Sequence, residues 1–399
     1  VTGRTILVLN AGSSSIKFQL YDATAEGRLT RRFKGRLEGI GSARPRLLAW
    51  DGAGAVLEDR GFRPEEADEV EEAQAAIGGW LVGAMGGPPD AIGHRVVHGG
   101  ADYTAPVLAD AAVLAALEAL SPLAPLHQPH NLAPIRSILR RRPELPQVAC
   151  FDTAFHATMP DLARRFAIPE ALHARGIRRY GFHGLSYEYI AGRLPEVAPE
   201  IARGRVIVAH LGSGCSACAM VDGRSVQSTM GFSALDGLPM GTRPGQLDAG
   251  VVLHLCRDGM GAAAIEHLLY HRCGLLGLSG ISADVRELLA SPAPGARLAL
   301  DYFADRTAQA FGALAAAMGG LDGIVFTAGV GENAAPVRAM IAARCAWLGV
   351  VLDEARNAAH APRISADGSR LPVHVIPTDE EGMVARHVVE VLRREGRWA

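Results

Sequence analysis

Long apolar runs are missing from this chain of 399 residues. The two longest candidates, around Ala111–Leu120 and Ala310–Leu321, are broken by Glu118 and ended by Asp322, so no membrane-crossing helix is expected. The opening stretch Val1–Asn10 carries one Arg and then a strand-like run, without the layout of a secretory signal. Cysteine is scarce. Six in a chain of this size do not make a disulfide framework, and a cytoplasmic location is the expectation. An excess of charge of either sign is absent too: 40 Lys plus Arg face 42 Asp plus Glu, a formal net charge of −2. That balance offers no whole-molecule attraction to nucleic acid or to an anionic membrane, so any anion bound here must be held by local groups.

Metal-ligand spacings are also poor. Cys215 and Cys218 form a C-x-x-C, but no second pair follows and the surroundings read as a strand, where positions three apart point to opposite faces. His267 and His271 stand at i, i+4 on a helical pattern without a suitably placed Glu or an evident third ligand. Helix surface is the expectation there.

What is present is a globular balance of 49% hydrophobic and 21% charged residues, long enough for two domains of roughly 150–200 residues. Strand-like runs (Thr5–Leu9, Ile16–Leu20, Ala91–Val97, Gln147–Phe151, Arg205–His210, Gly323–Thr327 and Pro372–Ile376) alternate with Ala/Leu-rich helical stretches. The helical ones include Ala111–Leu120, Gly250–Cys256, Leu298–Met318 and Glu381–Arg394. The mixture implies an α/β fold. Pro and Gly cluster at Gly86–Pro89, Ser121–Pro134, Arg142–Pro146, Gly237–Gly245 and Ser291–Gly295, which read as loops. None is a long flexible linker.

One internal similarity organises the rest. Ile6–Asp22 reads ILVLNAGSSSIKFQLYD and Val206–Asp222 reads VIVAHLGSGCSACAMVD. With Gly12 on Gly212, each is a buried strand, a Gly/Ser-rich turn and a second strand ending in Asp. A duplication predicts two related domains, each presenting such a turn to an interdomain cleft, with nucleotide phosphates gripped from both sides. That is the geometry of the actin-like ATPase and sugar-kinase superfamily.

Consecutive Gly and Ser let the backbone approach a phosphate and aim several N–H groups at it. The first turn supplies Gly12 to Ser15, with Lys17 adding a charge on the next strand, and Gly212–Gly214 repeats the backbone part. A third turn, Ala328–Asn333 (AGVGEN), follows a buried strand and leads toward a helix. None is a Walker A loop, and Gly329-Val330-Gly331 lacks the third glycine of a dinucleotide fingerprint. Polar strings beside the strands complete the picture: GHRVVHGG with Arg95, LHQPHN with His127, FDTAFH with Asp152, YGFHG with His183, MGTRPGQLD with Arg243, and PTDEEG with Glu380 and Glu381.

Taken in order from Asn10 to Glu381, NAGSSSIK, GHRVVHGG, LHxPHN, FDTAFH, RYGFHG, the GTR loop, FTAGVGEN and PTxEE strongly resemble the acetate kinase family and its propionate-kinase relatives. The resemblance implies a duplicated, ribonuclease-H-like two-domain fold. Residues 1–150 plus 383–399 would form the first domain and 151–382 the nucleotide-binding second. It implies that Asn10 and Glu380 hold Mg²⁺, with Mn²⁺ as a substitute. It also implies that Lys17 and the loop His210, Leu211, Gly212, Ser213 and Gly214 contact the phosphates of ATP or ADP. Asp284, Val285 and Arg286, with Gly329, Val330, Gly331, Glu332 and Asn333, would hold the adenosine. By the same resemblance Arg95 binds the carboxylate, Val97, Leu126 and Phe182 line the acyl pocket, and Arg243 with His183 stabilise the transferring phosphoryl. Asp152 is the active-site acid. A homodimer is implied on the same ground.

The chemistry is consistent with those residue types. A short-chain carboxylate has a pKa of roughly 4–5 and is already ionised at neutral pH, so no general base is needed. Asp152 is therefore expected to orient Mg²⁺, water or an Arg. The two guanidinium groups answer the repulsion between anionic acid and anionic ATP. Three positions depart from the family pattern: Ser213 for a usual Asn, Gln246 for a usual Asp, and Ala234 for the proline that walls the acyl pocket. The smaller wall makes propionate an alternative to acetate, and a broader short-chain fatty acid kinase is a further one. Rival classes are a sugar kinase or polyphosphate-hydrolysing enzyme, and a non-catalytic actin-like ATP-dependent switch.

Overall fold

The computed structural model describes residues 3–398. Val1 and Thr2 of the opening stretch, and Ala399 of the first domain's expected tail, lie outside the described residues. The chain divides into two compact units, Val1–Ala154 with Asp379–Ala399, and Phe155–Thr378.

The first unit is built on one sheet of eight strands: β1 (Arg4–Ala11), β2 (Ser15–Ala23), β3 (Leu29–Glu38), β4 (Arg46–Asp51), β5 (Val56–Gly61), β6 (Ala91–Val96), β7 (Val107–Leu108) and β8 (Gln147–Phe151). Their order is β5-β4-β3-β2-β1-β6-β8-β7. Neighbours from β1 to β5 run antiparallel, as tight turns allow, whereas β1, β6 and β8 are mutually parallel and joined through helices. The central strand β1 buries Ile6, Leu7, Val8 and Leu9 in succession, the pattern of a strand covered on both faces. β3 to β5 were not among the expected strands. Their charged positions face solvent, as in LTRRFKGRLE, where only Gly35 and Leu37 are buried.

Helix Val70–Met85 packs against Leu9, Phe18 and Leu20 in one core cluster. The stretch Ser121–Pro134 was expected to be a loop. It contains a short 3₁₀ turn, Ser121–Leu123, and then the helix Gln128–Arg141. Pro129 sits in the first turn, where a missing N–H costs nothing, and Pro134 lies within the helix. The final helix, Glu380–Arg394, has Asp379 accepting from Gly382 N at 2.9 Å, Glu in its first turn and Arg in its last, an arrangement that suits the helix dipole. It packs on β1, β6 and β8. The close approach needs Gly93 on β6, because a Cβ there would stand 2.5 Å from Val384 Cγ1 and 2.8 Å from Val388 Cγ2.

The second unit holds β9 (Arg205–Leu211), β10 (Cys215–Val221), β11 (Arg224–Ser228), β12 (Gly323–Thr327) and β13 (Val373–Val375), ordered β11-β10-β9-β12-β13. β9, β10 and β11 are antiparallel neighbours, and β9, β12 and β13 are parallel. This is the same sequence of orientations as β3-β2-β1-β6-β8, so the internal similarity corresponds to a repeated topology. Cys215 and Cys218 lie on β10, both free, with burial pushing each thiol up to about 12. Pro294, placed in a loop by its composition, starts the helix Pro294–Ala317. Ala328–Asn333, expected as a turn, is itself a short helix directly after β12. No helix among the described residues is long and apolar enough to cross a membrane.

Candidate active site

In the first unit, the polar residues gather at the C-terminal ends of the parallel strands β1, β6 and β8, the edge where α/β sheets place ligands. Arg95 points from β6 to Asp152, which follows β8. Its Nε donates to Oδ1 at 3.0 Å and its Nη2 to Oδ2 at 2.6 Å. Nη1 donates to Asn10 Oδ1 at 3.3 Å, and Nε stands 4.0 Å from Glu380 Oε2. Among the described residues, three of the five N–H donors of the guanidinium are thus engaged and two are not. Burial works against the charge of Arg95, but Asp152 and Glu380 outweigh it and the pKa is raised. Asp152 is 2% exposed.

The carboxylates from the final helix complete this cluster. Glu381 accepts from Asn10 Nδ2 at 3.5 Å and from Gln19 Nε2 at 3.3 Å. Burial and the adjacent Glu380 push its pKa up, while Lys17 and Asn10 pull the other way. Lys17 is exposed on β2, directly across from Asn10 on β1, so the two share a face. Asn10, Glu380 and Glu381 therefore present hard oxygen donors of the kind Mg²⁺ takes, with two carboxylates whose crowding a divalent cation would relieve.

Val97 and Leu126 also belong to the first unit. Val97 is buried just beyond β6 and Leu126 is half-buried before helix Gln128–Arg141. Asn131 pins this region, accepting from Val97 N at 2.9 Å and donating to Ala11 O at 2.5 Å. Gln128 does the same for His98, accepting from its N–H at 3.2 Å and donating to its carbonyl at 2.9 Å.

The second unit carries the remaining residues. His183 adopts φ 58° at the start of helix Gly184–Val197, and its Nδ1 lies 2.8 Å from Ser216 Oγ. Its ring stacks on His210 with centroids 4.1 Å apart and an interplanar angle of 17°. His210 in turn meets Ser186 Oγ through Nδ1 at 2.8 Å. Arg243 extends from the loop after Met240, where Nη1 donates to Ala234 O at 2.9 Å. No carboxylate among the described residues pairs with it, and burial lowers its pKa. Gly214 is the meeting point: a Cβ there would lie 3.0 Å from Arg243 Nη2 and 3.3 Å from His183 Nε2. A side chain at this turn would occupy the space those two groups face. Phe182, next to His183 in the sequence, is buried.

A cavity of about 620 Å³ opens next to that turn, lined by Gly212, Ser213, Asp284, Val285, Arg286 and Gly329, among others. Val330 and Asn333 also line it, and Leu275 and Phe303 add apolar wall. Asp284 caps its helix by accepting from Arg286 N at 2.8 Å, and the Arg286 side chain brings its carboxyl down to about 2. Gly331 and Glu332 do not line the cavity. Glu332 Oε1 accepts from Ala328 N at 2.8 Å and Thr378 N at 3.1 Å, bracing the end of β12. The buried Arg338 binds the carbonyls of Gly331 and Glu332, both at 2.9 Å.

The whole of this arrangement falls within one family description: the profile of the Acetokinase family matches residues 5–386. The chain belongs to the Acetokinase family. Acetate kinase of Nitrobacter hamburgensis is 58% identical over 389 residues, covering 97% of this chain and 96% of that one. Among solved structures, a propionate kinase from Francisella tularensis superposes with a TM-score of 0.89 at 36% identity, covering 96% of this chain and 98% of that one. Porphyromonas gingivalis acetate kinase gives 0.86 at 36% identity, with 98% and 100% covered. The fold is the duplicated α/β one of actin-like ATPases and sugar kinases, as the internal repeat and the resemblance both implied.

For this acetokinase-family chain, the expected site residues divide by unit. Asn10, Arg95, Asp152 and Glu380 stand in one bonded cluster, with Lys17 alongside. His183, His210, Gly214 and Arg243 form another, beside the cavity shared by Gly212, Ser213, Asp284 to Arg286 and Gly329. Gln128, Asn131 and Arg338 were missed as positioning groups, and Glu381, visible in PTDEEG, was given no role. The string LHQPHN contains both Gln128 and Asn131, but it was read for His127 and within a loop.

Proposed function

We propose that this enzyme catalyses reversible, Mg²⁺-dependent transfer of the γ-phosphoryl of ATP to acetate, giving acetyl phosphate and ADP. The carrying observation is the Arg95–Asp152 pair. The carboxylate beside the proposed acceptor position is held by two guanidinium donors, which suits an orienting role rather than proton abstraction. An acceptor that is already ionised needs no base, whereas a sugar hydroxyl would. The two uncommitted N–H donors of Arg95 suit a carboxylate acceptor.

Each unit contributes its own part of the chemistry. In the second, the 620 Å³ cavity takes the adenosine of ATP, and the Gly212–Gly214 turn offers backbone donors to the phosphates. Arg243, which pairs with no carboxylate among the described residues, and His183 stabilise the charge that spreads over the transferring phosphoryl in a loose, in-line displacement. In the first, Lys17 adds a positive charge for phosphate and Val97 and Leu126 contact the acyl chain. Asn10 and Glu380 would hold Mg²⁺, which when bound neutralises phosphate oxygens, with ATP itself supplying further ligands.

Ala234 favours a second substrate. Its carbonyl anchors Arg243, and its side chain is smaller than the proline that the resemblance leads one to expect there. Propionate turnover within about 200-fold of acetate is the consequence, since one methylene is worth roughly 1–3 kcal/mol. The enzyme also forms a homodimer. Support comes from helix Ala249–Arg257, which buries none of its residues although Val251 and Leu253 are 42% and 55% exposed. Six free cysteines support a reducing, cytoplasmic location.

Trapping acyl phosphate with hydroxylamine, in the presence of ATP and Mg²⁺ plus acetate, propionate or butyrate, tests the reaction and ranks the acids. ATP hydrolysis without any hydroxamate from the three acids would overturn the assignment.

A further inference from the structure

The imidazole of His183 has two sides. Its Nε2 faces the Gly214 turn, where a Cβ would lie 3.3 Å from it and 3.0 Å from Arg243 Nη2. Its Nδ1 turns to a pair of hydroxyls. Ser216 Oγ, on β10, lies 2.8 Å from Nδ1, and the same Oγ lies 2.5 Å from Tyr187 Oη. Tyr187 stands four positions after His183, on helix Gly184–Val197, and both hydroxyl-bearing residues are fully buried. Phenol, hydroxyl and imidazole thus form a row in which each proton needs an acceptor from the protein.

Counting those protons fixes the direction of the row. Burial holds the Tyr187 phenol well above its ordinary range, so it keeps its proton, and Ser216 is the side chain placed to accept it. If Tyr187 donates to Ser216 and Ser216 donates to His183 Nδ1, both hydroxyl protons are bonded. If Nδ1 carried a proton instead, it would donate to Ser216 and Ser216 to Tyr187. The phenolic proton would then be left in the interior without an acceptor, a costly state. The imidazolium meets the same objection, because it too is protonated on Nδ1. Charge acts in the same sense: the ring stacks on His210 at 4.1 Å and shares the Gly214 turn with Arg243, so a charged His183 would face a cation already in place.

We propose that Ser216 and Tyr187 are positioning residues that keep His183 neutral with its one ring proton on Nε2, so that it meets the transferring phosphoryl as a fixed hydrogen-bond donor while Arg243 supplies the positive charge. The proposal deepens the reaction given above and rests on it. Which ring nitrogen carries the proton is set by the bond the other makes, and here that bond is to Ser216. The opposite tautomer would present a lone pair to the phosphoryl oxygens, a repulsion in place of a bond. A donor oriented before the substrate arrives needs no rearrangement as charge spreads over those oxygens.

The test is nitrogen-detected NMR of the full chain with isotopically labelled histidine, near neutral pH, with the His183 signals assigned by their loss in His183→Gln. A protonated Nε2 and an unprotonated Nδ1 are expected in the native enzyme. In Ser216→Ala the His183 signals should shift toward a mixture of protonation states, with kcat lowered about tenfold or more and KM for ATP unchanged. Tyr187→Phe retains the Ser216 hydroxyl, so it should keep the native tautomer and lose less activity than Ser216→Ala. A protonated Nδ1 in the native enzyme would overturn the proposal, and that spectrum decides the matter even if neither variant folds. Native kcat in Ser216→Ala, or a fall in kcat with the His183 signals unmoved, would overturn it as well. The spectrum does not depend on which acid is phosphorylated, whereas failure of the reaction itself would show as absence of hydroxamate with the native enzyme.

Discussion

Replacing Arg243 with alanine should separate catalysis from stability. Among the described residues this guanidinium makes one hydrogen bond, Nη1 to the carbonyl of Ala234, and pairs with no carboxylate. Burial already lowers its pKa, so the fold holds a cation at some cost. Truncation removes one hydrogen bond to a charged group, about 1.5–3 kcal/mol. It also removes an unpaired, half-buried charge whose desolvation opposes folding by an amount of the same order. The two nearly cancel, so the melting temperature should stay within about 4 °C, the shift that roughly 1 kcal/mol produces in a unit of this size. Catalysis has no such compensation. Loss of one fixed donor to the transferring phosphoryl should lower kcat by about 10²–10³, or roughly 3–4 kcal/mol, with KM for ATP little changed. Initial rates of acetyl phosphate formation, read beside differential scanning calorimetry, give both quantities. An unchanged kcat with a raised KM would refute the transition-state role. A fall in melting temperature above about 10 °C would refute the claim that the fold does not depend on this residue.

Asp152→Asn keeps the volume but removes the charge that faces Arg95, which should destabilise the fold by up to about 3–5 kcal/mol in urea unfolding. Its lost activity should not return on raising the pH; recovery at high pH would identify Asp152 as a base. Gly93→Ala forces a methyl against Val384 and Val388, so a loss of about 1–3 kcal/mol is expected by the same assay, and no loss would mean the final helix can shift. His94, His98 and His156 are pushed down to about 4 by burial, from an ordinary 6.5. The unfolded chain takes up those protons near pH 6.5 and the folded one only near 4, so their contribution is complete above 6.5 and declines as pH falls through that window. Calorimetry should find a lower melting temperature at pH 5 than at pH 7, and a rise on acidification would contradict it. Ellman's reagent should modify the exposed Cys256 first and leave Cys215, Cys218 and Cys345 untouched in the native protein; rapid reaction of Cys215 and Cys218 would show that β10 opens readily.

Strands with both faces covered were easiest to read. Ile6 to Leu9 and Gly323–Thr327 are continuous apolar runs, and the repeat around Gly12 and Gly212 led to the duplicated topology. β3, β4 and β5 escaped because arginines and glutamates occupy their solvent face and interrupt any simple alternation. Helix Gln128–Arg141 escaped because two prolines suggested a loop, although Pro129 occupies a position where proline is tolerated. Within the candidate site, Asn10, Arg95, Asp152 and Glu380 were each visible in a short polar string. That Arg95 would grasp Asp152 with two nitrogens while touching Asn10 depends on strands 57 and 85 residues apart meeting at one sheet edge. No local pattern contains that information. The same holds for Arg338, which looks like any helix-surface arginine until Gly331, Glu332 and Asn357 close around it.

The discontinuity of the first unit has a bearing on synthesis. Phe155–Thr378 is one uninterrupted stretch, so it has all its own strands and helices as soon as Thr378 leaves the ribosome. The earlier-made sheet must wait for Glu380–Arg394, the cover for the apolar faces of β1 and β6 beside Gly93. Maturation therefore runs against chain order, and the nascent sheet, exposed for most of translation, is where a chaperone would be needed most.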